Sequence, residues 1–296
     1  MSSKTKIGIP DVFISLILIG ITLTCLLPVL NTIAISFSDK SSAALGKVFV
    51  WPVRFTTAPY EAILREKQFF LSFLVSIYRV LLGGAINVLL TILMAYPLSK
   101  DKQHFKAKNI YMWFIVFTML FYGGLVPTYL LVNRLGLIDS IWALVLPGAV
   151  PVFSVIILMN YFKTAIPQSL EEAALMDGAS PFHILWHIFV PLAKPCIAVI
   201  ALFSVVSHWN SFFDGLIYIN TAAKQPLQTY IQSMIFSVNL QSMLSMTPQE
   251  IIKQMELSGL TFNSAKLVVA MLPLLAIYPF LQRYFVTGIV MGAVKE

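Results

Sequence analysis

His183 and His187 stand four residues apart, a spacing that puts both imidazoles on one face of a helix as in a zinc protease. Between them lie Ile184, Leu185 and Trp186, so the glutamate that would activate a water is missing, and a packed or interfacial pair is the plainer reading. His104 and His208 have no partner in sequence. Cys25 and Cys196 fall in separate apolar runs and offer neither a disulfide framework nor metal-ligand spacing. No Gly-x-Ser-x-Gly and no paired catalytic carboxylates stand out, which argues against an intramembrane hydrolase. Nor is there a Gly-x-x-x-x-Gly-Lys-Ser/Thr loop to cradle phosphates, so any energy from ATP must reach the chain through a separate protein. No cofactor is expected on this chain.

The stretch 167–195 offers contact chemistry instead of bond-making chemistry. Ser169 with Glu172 three positions later predicts a capping box, and Glu171 and Glu172 suit the positive end of the helix that follows. Ala173, Ala174, Leu175 and Met176 favour helix. Gly178 predicts a left-handed stop, Ser180-Pro181 a second helix start, and Pro191 and Pro195 its end. Small Ala173 and Ala174 let another surface approach closely, while Leu175 and Met176 can fill a groove. An amphipathic helix lying on the membrane is the alternative, and the acidic Glu171, Glu172 and Asp177 speak against it because the inner leaflet is negative.

A third group of polar residues sits inside apolar runs: Arg79, Asn87, Asn160, Trp209, Asn210 and Lys266. Charge within a membrane is costly and normally faces the protein interior. Aromatic faces and amides bind sugars well, which makes Trp209 and Asn210 candidates for a solute path. Against that, Arg79 and Lys266 can snorkel to the interface, and asparagine can tie helices together.

The elements that must position these groups follow from composition. Of 296 residues, 58% are hydrophobic and 11% charged, far too apolar for the surface of one soluble domain. About six runs reach the length of a membrane span, near 12–36, 70–98, 110–132, 140–162, 194–218 and 264–286, and none alternates with period two. The fold class is therefore all-α, a polytopic membrane protein. The first run is twice the length of a signal-peptide core, so it is expected to stay as a span, although Ala34-Ile35-Ser36 resembles a cleavage site. Net charge is +7, but no basic stripe with interleaved aromatics marks a nucleic-acid binder.

Lys100, Lys102, Lys106 and Lys108 place the connector 99–109 inside, and Lys4 and Lys6 put both termini there too. Lys40, Lys47, Arg54, Arg65 and Lys67 run against this bias in the outer segment 37–69. Long connectors at 37–69, 163–193 and 219–263 should carry function or meet partners, and Ser245 to Glu250 in the last reads as a helix start. Pro97, Pro127, Pro147, Pro151, Pro273 and Pro279 interrupt the runs, either for a moving path or as simple bends. The chain is expected to form one transmembrane permease domain over 1–296, with 163–193 a cytoplasmic coupling loop and 219–263 extracytoplasmic.

Glu172-Ala173-Ala174, then Gly178, Ile188 and Pro191, resemble the signature loop of binding-protein-dependent ABC importer permeases, with Val190 where leucine is common. Phe121 to Tyr129, Trp209-Asn210 and the ending Tyr278 to Gly288 look like the oligosaccharide branch of the maltose-type carbohydrate family. The resemblance implies a six-helix permease that carries carbohydrate. It further implies a second homologous permease, two ATP-binding subunits that hold ATP and Mg, and an extracytoplasmic solute-binding protein. Glu171, Glu172, Ala173, Ala174, Leu175, Asp177, Gly178, Ile188 and Pro191 would couple to the ATPase. A secondary transporter would instead show acids deep in its spans, whereas here Asp214 lies near the end of the fifth. A receptor or scaffold would explain the spans but not the loop.

Overall fold

The computed structural model describes residues 9–101, 104–233 and 259–293, and among these all regular structure is helical. Lys4, Lys6, Lys102 and the helix start at 245–250 lie outside the described residues. Two compact units are present, one made of Met1–Lys67 with Met234–Leu272 and the other of Gln68–Ser233 with Pro273–Glu296.

In the first unit, α1 (Ile9–Ser36) is long and apolar; residues 11–30 are exposed, and burial begins only near its end, at Ala34 and Ser36. Short helices α2 (Lys40–Ala44) and α3 (Ala58–Arg65) follow. The loop between them folds back on the end of α1, where Asn31 donates to the carbonyl of Phe49 at 2.7 Å. Phe37 stacks between Phe55 and Tyr60. Asp39 caps α2, and hydrogen bonds from Ser41 and Ser42 hold its carboxyl down at about 2.

In the second unit, α4 (Lys67–Ser99) crosses as one piece of 33 residues, about 50 Å at helical rise. Three other expected runs are broken. The run 110–132 forms α5 (Lys108–Leu120) and α6 (Leu125–Arg134), folded back by 112° at Gly123-Gly124. The run 140–162 forms α7 (Ile141–Val145), a 3₁₀ turn and α8 (Val152–Ala165), bent by 49° between Pro147 and Pro151. The fifth is α12 (Lys194–Asn210), which stops at Ser211 before the short α13 (Phe213–Tyr218). Each break frees backbone carbonyls that lipid cannot satisfy, and other protein groups must.

Between the fourth and fifth runs lie α9 (Gln168–Met176), α10 (Pro181–Ile184), a π-helical turn over Leu185–Phe189 and α11 (Val190–Leu192). The amide of Val190 reaches back five residues to Leu185, and the widened turn accommodates Pro191, which has no amide to donate. The chain then bends by 83° into α12, whose first turn holds Pro195. Pro195 therefore opens the fifth span; it does not close the preceding helix. The last helix, α14 (Leu260–Ala293), carries Pro273 and Pro279 internally. Among the described residues three helices are long and apolar enough to span a membrane alone, and up to six spans result when each bent pair counts as one.

Candidate functional site

α9 begins two residues earlier than its capping signal predicts. Pro167 stands at the N-cap in extended conformation and no side chain caps the first amides. Ser169 and Glu172 therefore form no capping box, because the proline's fixed geometry starts the helix at Gln168. The far end matches expectation. Gly178 has φ +79°, its amide reaches Leu175 at 3.0 Å, and Ala179 donates to Ala174 at 2.9 Å, the paired bonds of a Schellman stop. Ser180 then caps α10 through the amide of His183 at 3.3 Å.

The elbow leaves α9 uncovered. No residue of α9 is fully buried: Glu172, Ala173, Leu175, Met176, Asp177 and Gly178 are exposed, Met176 to 88%. Ala174 rests against the core, and Ile188 is half-buried while Pro191 is exposed. A hollow of ≈ 580 Å³ opens at the elbow, lined by Ala174, Asp177, Gly178, His183, His187 and Ile188. The two imidazoles stack 3.9 Å apart, and His187 Nδ1 lies 3.1 Å from the carbonyl of His183. Among the described residues no group of three or more His, Cys, Asp or Glu is placed to hold a metal ion. Glu171 also turns inward, to Lys100 at 2.5 Å.

At the other end of the unit a polar stripe runs along α4. Ser72, Ser76, Arg79, Gly83, Asn87 and Thr91 recur every three or four residues and are buried. Ser76, Arg79, Asn87 and their neighbour Gln68 bond backbone groups of the broken spans and of the connector after the fifth span. Gln68 donates to the carbonyl of Ala222 at 2.5 Å, and Ser76 accepts from the amide of Leu227 at 2.7 Å. Arg79 pairs with Asp214 and donates to the carbonyls of Leu144 and Ser211, each at 3.3 Å. Asn87 donates to the carbonyl of Gly148 at 3.0 Å and meets His208 Nε2 at 2.8 Å. Gly83 leaves the room that the His208 ring fills, since a Cβ there would lie 2.5 Å from it.

This stripe forms one wall of a cavity of ≈ 690 Å³, lined among others by Arg79, Asn87, Tyr122, His208, Asp214 and Tyr218. Among the described residues, Arg79 and Asp214 are its only lining Arg, Lys, Asp or Glu, and they pair, so their charges cancel. Ser204 Oγ and Arg79 Nε are buried without a hydrogen-bond partner among the described residues, which leaves polar valence beside the cavity.

The six candidates for a solute path thus separate. Arg79 and Asn87 line the cavity. Trp209 is buried and meets Phe73 edge-on at 5.8 Å, away from the lining. Asn160 and Asn210 are exposed and outside it. Lys266, in the first unit, does not snorkel: it is 1% exposed and bonded to Glu66 at 2.7 Å. Sequence reasoning missed His208 and Asp214. Their signal was the helical spacing of Ser204 and His208 beside the Ser211-Asp214 turn, legible only once α4 is known to face it.

Residues 68–290 match the family described as binding-protein-dependent transport system inner membrane component. The chain belongs to that family. It is 40% identical over 293 residues to Protein LplC of Bacillus subtilis (strain 168), covering 99% of this permease and 97% of the relative. It is 38% identical to the polygalacturonan/rhamnogalacturonan transport system permease protein YtcP of the same strain, over 96% and 98% of the two chains. A crystal structure of a bacterial ABC transporter involved in the import of the acidic polysaccharide alginate contains a chain that superposes with TM-score 0.82. That chain is 29% identical, over 96% of this permease and 100% of its own length. The protein is accordingly a multi-pass, non-catalytic permease subunit of an ABC importer in the cytoplasmic membrane, and the ATPase is a separate subunit.

Proposed function

We propose that this permease carries an oligosaccharide through the membrane and that α9 receives the stroke of the ATPase. The observation that carries the coupling reading is the bare helix ended by Gly178. Its core-facing Ala174 fixes it to the bundle while Glu172, Leu175, Met176 and Asp177 remain free to enter a cleft of the ATP-binding subunit. Ile188 and Pro191 hold the return path to α12. In this reading 163–193 is the cytoplasmic coupling loop, 219–263 is extracytoplasmic, both termini face the cytoplasm, and residues 1–296 act as one permease.

A second permease, two ATP-binding subunits holding ATP and Mg, and an extracytoplasmic binding protein complete the assembly. Closure of the ATPase pair moves α9 and shifts the spans between inward-open and outward-open states.

The cavity supports the carbohydrate reading, because its aromatic, hydroxyl and amide lining suits a polar, uncharged framework. Its balanced Arg79–Asp214 pair does not select for charge, so discrimination between neutral and acidic glycans falls to the binding protein. The names of the relatives, YtcP and the alginate importer, favour an acidic oligosaccharide.

Two measurements test the proposal. Gly178→Trp, strained at positive φ, should insert normally yet fail to retain the ATP-binding subunit on purification; a variant that retains it fully defeats the assignment of α9. For the substrate, ATP hydrolysis by the reconstituted complex with its binding protein should rise with oligogalacturonides or arabino-oligosaccharides. A response to neither glycan defeats the oligosaccharide reading.

A further inference from the structure

Lys100 is built into the fold more tightly than a surface ion pair requires. It follows the last turn of α4, and its side chain is only 13% exposed. The ammonium lies 3.8 Å from the ring centroid of Tyr96, one turn back on α4, and 4.0 Å from that of Phe189 in the π-helical turn. On its remaining side it meets Glu171 of α9 at 2.5 Å. Phe189 packs edge-on against Tyr96 at 5.0 Å and against Phe162 of α8 at 5.2 Å. One cation therefore sits in a box walled by Tyr96 of α4, Phe189 of the π-helical turn and the Glu171 carboxylate of α9, with Phe162 of α8 backing Phe189. The backbone of the same residue is held as well, since Lys108 at the start of α5 donates to its carbonyl.

Packing alone does not call for a charge here. Burial pushes the Lys100 ammonium below the ordinary lysine range despite its carboxylate partner. An apolar side chain would fill the box without that desolvation, and buried ion pairs are best explained by fixing a register or a switch. The register in question is that of α9 against the end of α4, the helix whose stripe carries Arg79 and Asn87 into the cavity. Beside the pair lies a space of ≈ 220 Å³ lined by Lys100, Asp101, His104, Lys163, Glu171 and Phe189, which gives the joint room to turn.

We infer that Lys100 is the joint through which movement of α9 is passed to α4, a positioning residue for transport that touches neither nucleotide nor solute. The inference rests on the proposed docking of α9. When α9 is displaced, Glu171 draws Lys100 with it, and Lys100 at the end of α4 carries that helix along. Without the ion pair, α9 can follow the ATPase while the cavity wall stays behind.

The test reads the cavity directly and needs no knowledge of the solute. Ser207 lines the cavity and is exposed there, so Ser207→Cys is introduced with Cys25→Ser and Cys196→Ala into the complete complex. Its labelling rate by a membrane-impermeant maleimide is compared between nucleotide-free and ADP-vanadate-trapped states. With Lys100 present, trapping should change the rate several-fold. Lys100→Met, which keeps the stem and fills the box, should retain the ATP-binding subunit but lose this change, and Lys100→Arg should restore it.

An undiminished change in Lys100→Met overturns the inference. So does a Lys100→Met complex that falls apart, because the residue would then be a structural support and not a joint. Failure of the α9 reading looks different: the complex with Lys100 intact would then trap vanadate without retaining any dependence on Gly178.

Discussion

The polar stripe of α4 and the bare helix α9 lie in the same unit and use their polar residues in opposite ways. On α4 the polar groups are buried, and Arg79 and Asn87 are spent on carbonyls at the broken spans, Arg79 on Leu144 and Ser211 and Asn87 on Gly148, while Ser76 holds the amide of Leu227 in the connector that follows. On α9, among the described residues, only Glu171 has an ion-pair partner, while Glu172, Leu175, Met176 and Asp177 are exposed. The difference teaches how to read polarity in a membrane protein. A buried polar side chain first repairs backbone that lipid cannot solvate, and only its leftover valence is available to a passing solute. An exposed helix with nothing to repair is free to bind a partner.

Removing Arg79 should have the largest effect. Arg79→Ala leaves Asp214 without its partner and two carbonyls without a donor, and breaking a buried pair costs about 3–5 kcal/mol. Thermal unfolding of the detergent-solubilised protein should show a loss of that size. An unchanged midpoint would mean that the pair is not a fastener, and the stripe would have to be read as solute machinery alone. Asn87→Leu should cost less, about 1–3 kcal/mol, since it strands one carbonyl and the His208 ring without ionising anything. Restoration of stability by a second change, His208→Leu, would identify the unpaired imidazole as the source of the loss.

How much of this could be read from the residues alone differs between the two regions for the same reason. The elbow at Gly178 and the start at Ser180-Pro181 are written locally, in residues whose backbone preferences act within four positions. The family resemblance centres there too. The capping box expected at Ser169 does not form because Pro167 supplies a competing start two residues earlier. The spans were legible from length and apolarity, but the breaks near Gly123-Gly124, Pro147–Pro151 and Ser211 were not. Proline and glycine permit a break without deciding whether neighbours will satisfy the carbonyls it frees. That decision is made by α4, some sixty or more residues away from Gly148 and Ser211. Arg79 and Asn87 were visible as polar residues in an apolar run, whereas their partners Asp214 and His208 acquire meaning only across the bundle.

The smallest effect on stability should come from α9, and that is where the comparison becomes sharpest. Met176 is 88% exposed. Met176→Ser should change the unfolding midpoint by no more than about 0.5 kcal/mol, the ordinary range for surface positions. It should nonetheless weaken retention of the ATP-binding subunit, because an exposed methionine filling a groove is felt only in the complex. Parallel measurement of the two quantities in Arg79→Ala and Met176→Ser therefore gives a crossed pattern: stability without association loss in one direction, association without stability loss in the other. If Met176→Ser binds the ATPase as tightly as the parent, the grip must come from the acidic side of α9, and Glu172→Gln becomes the variant that decides where the helix is held.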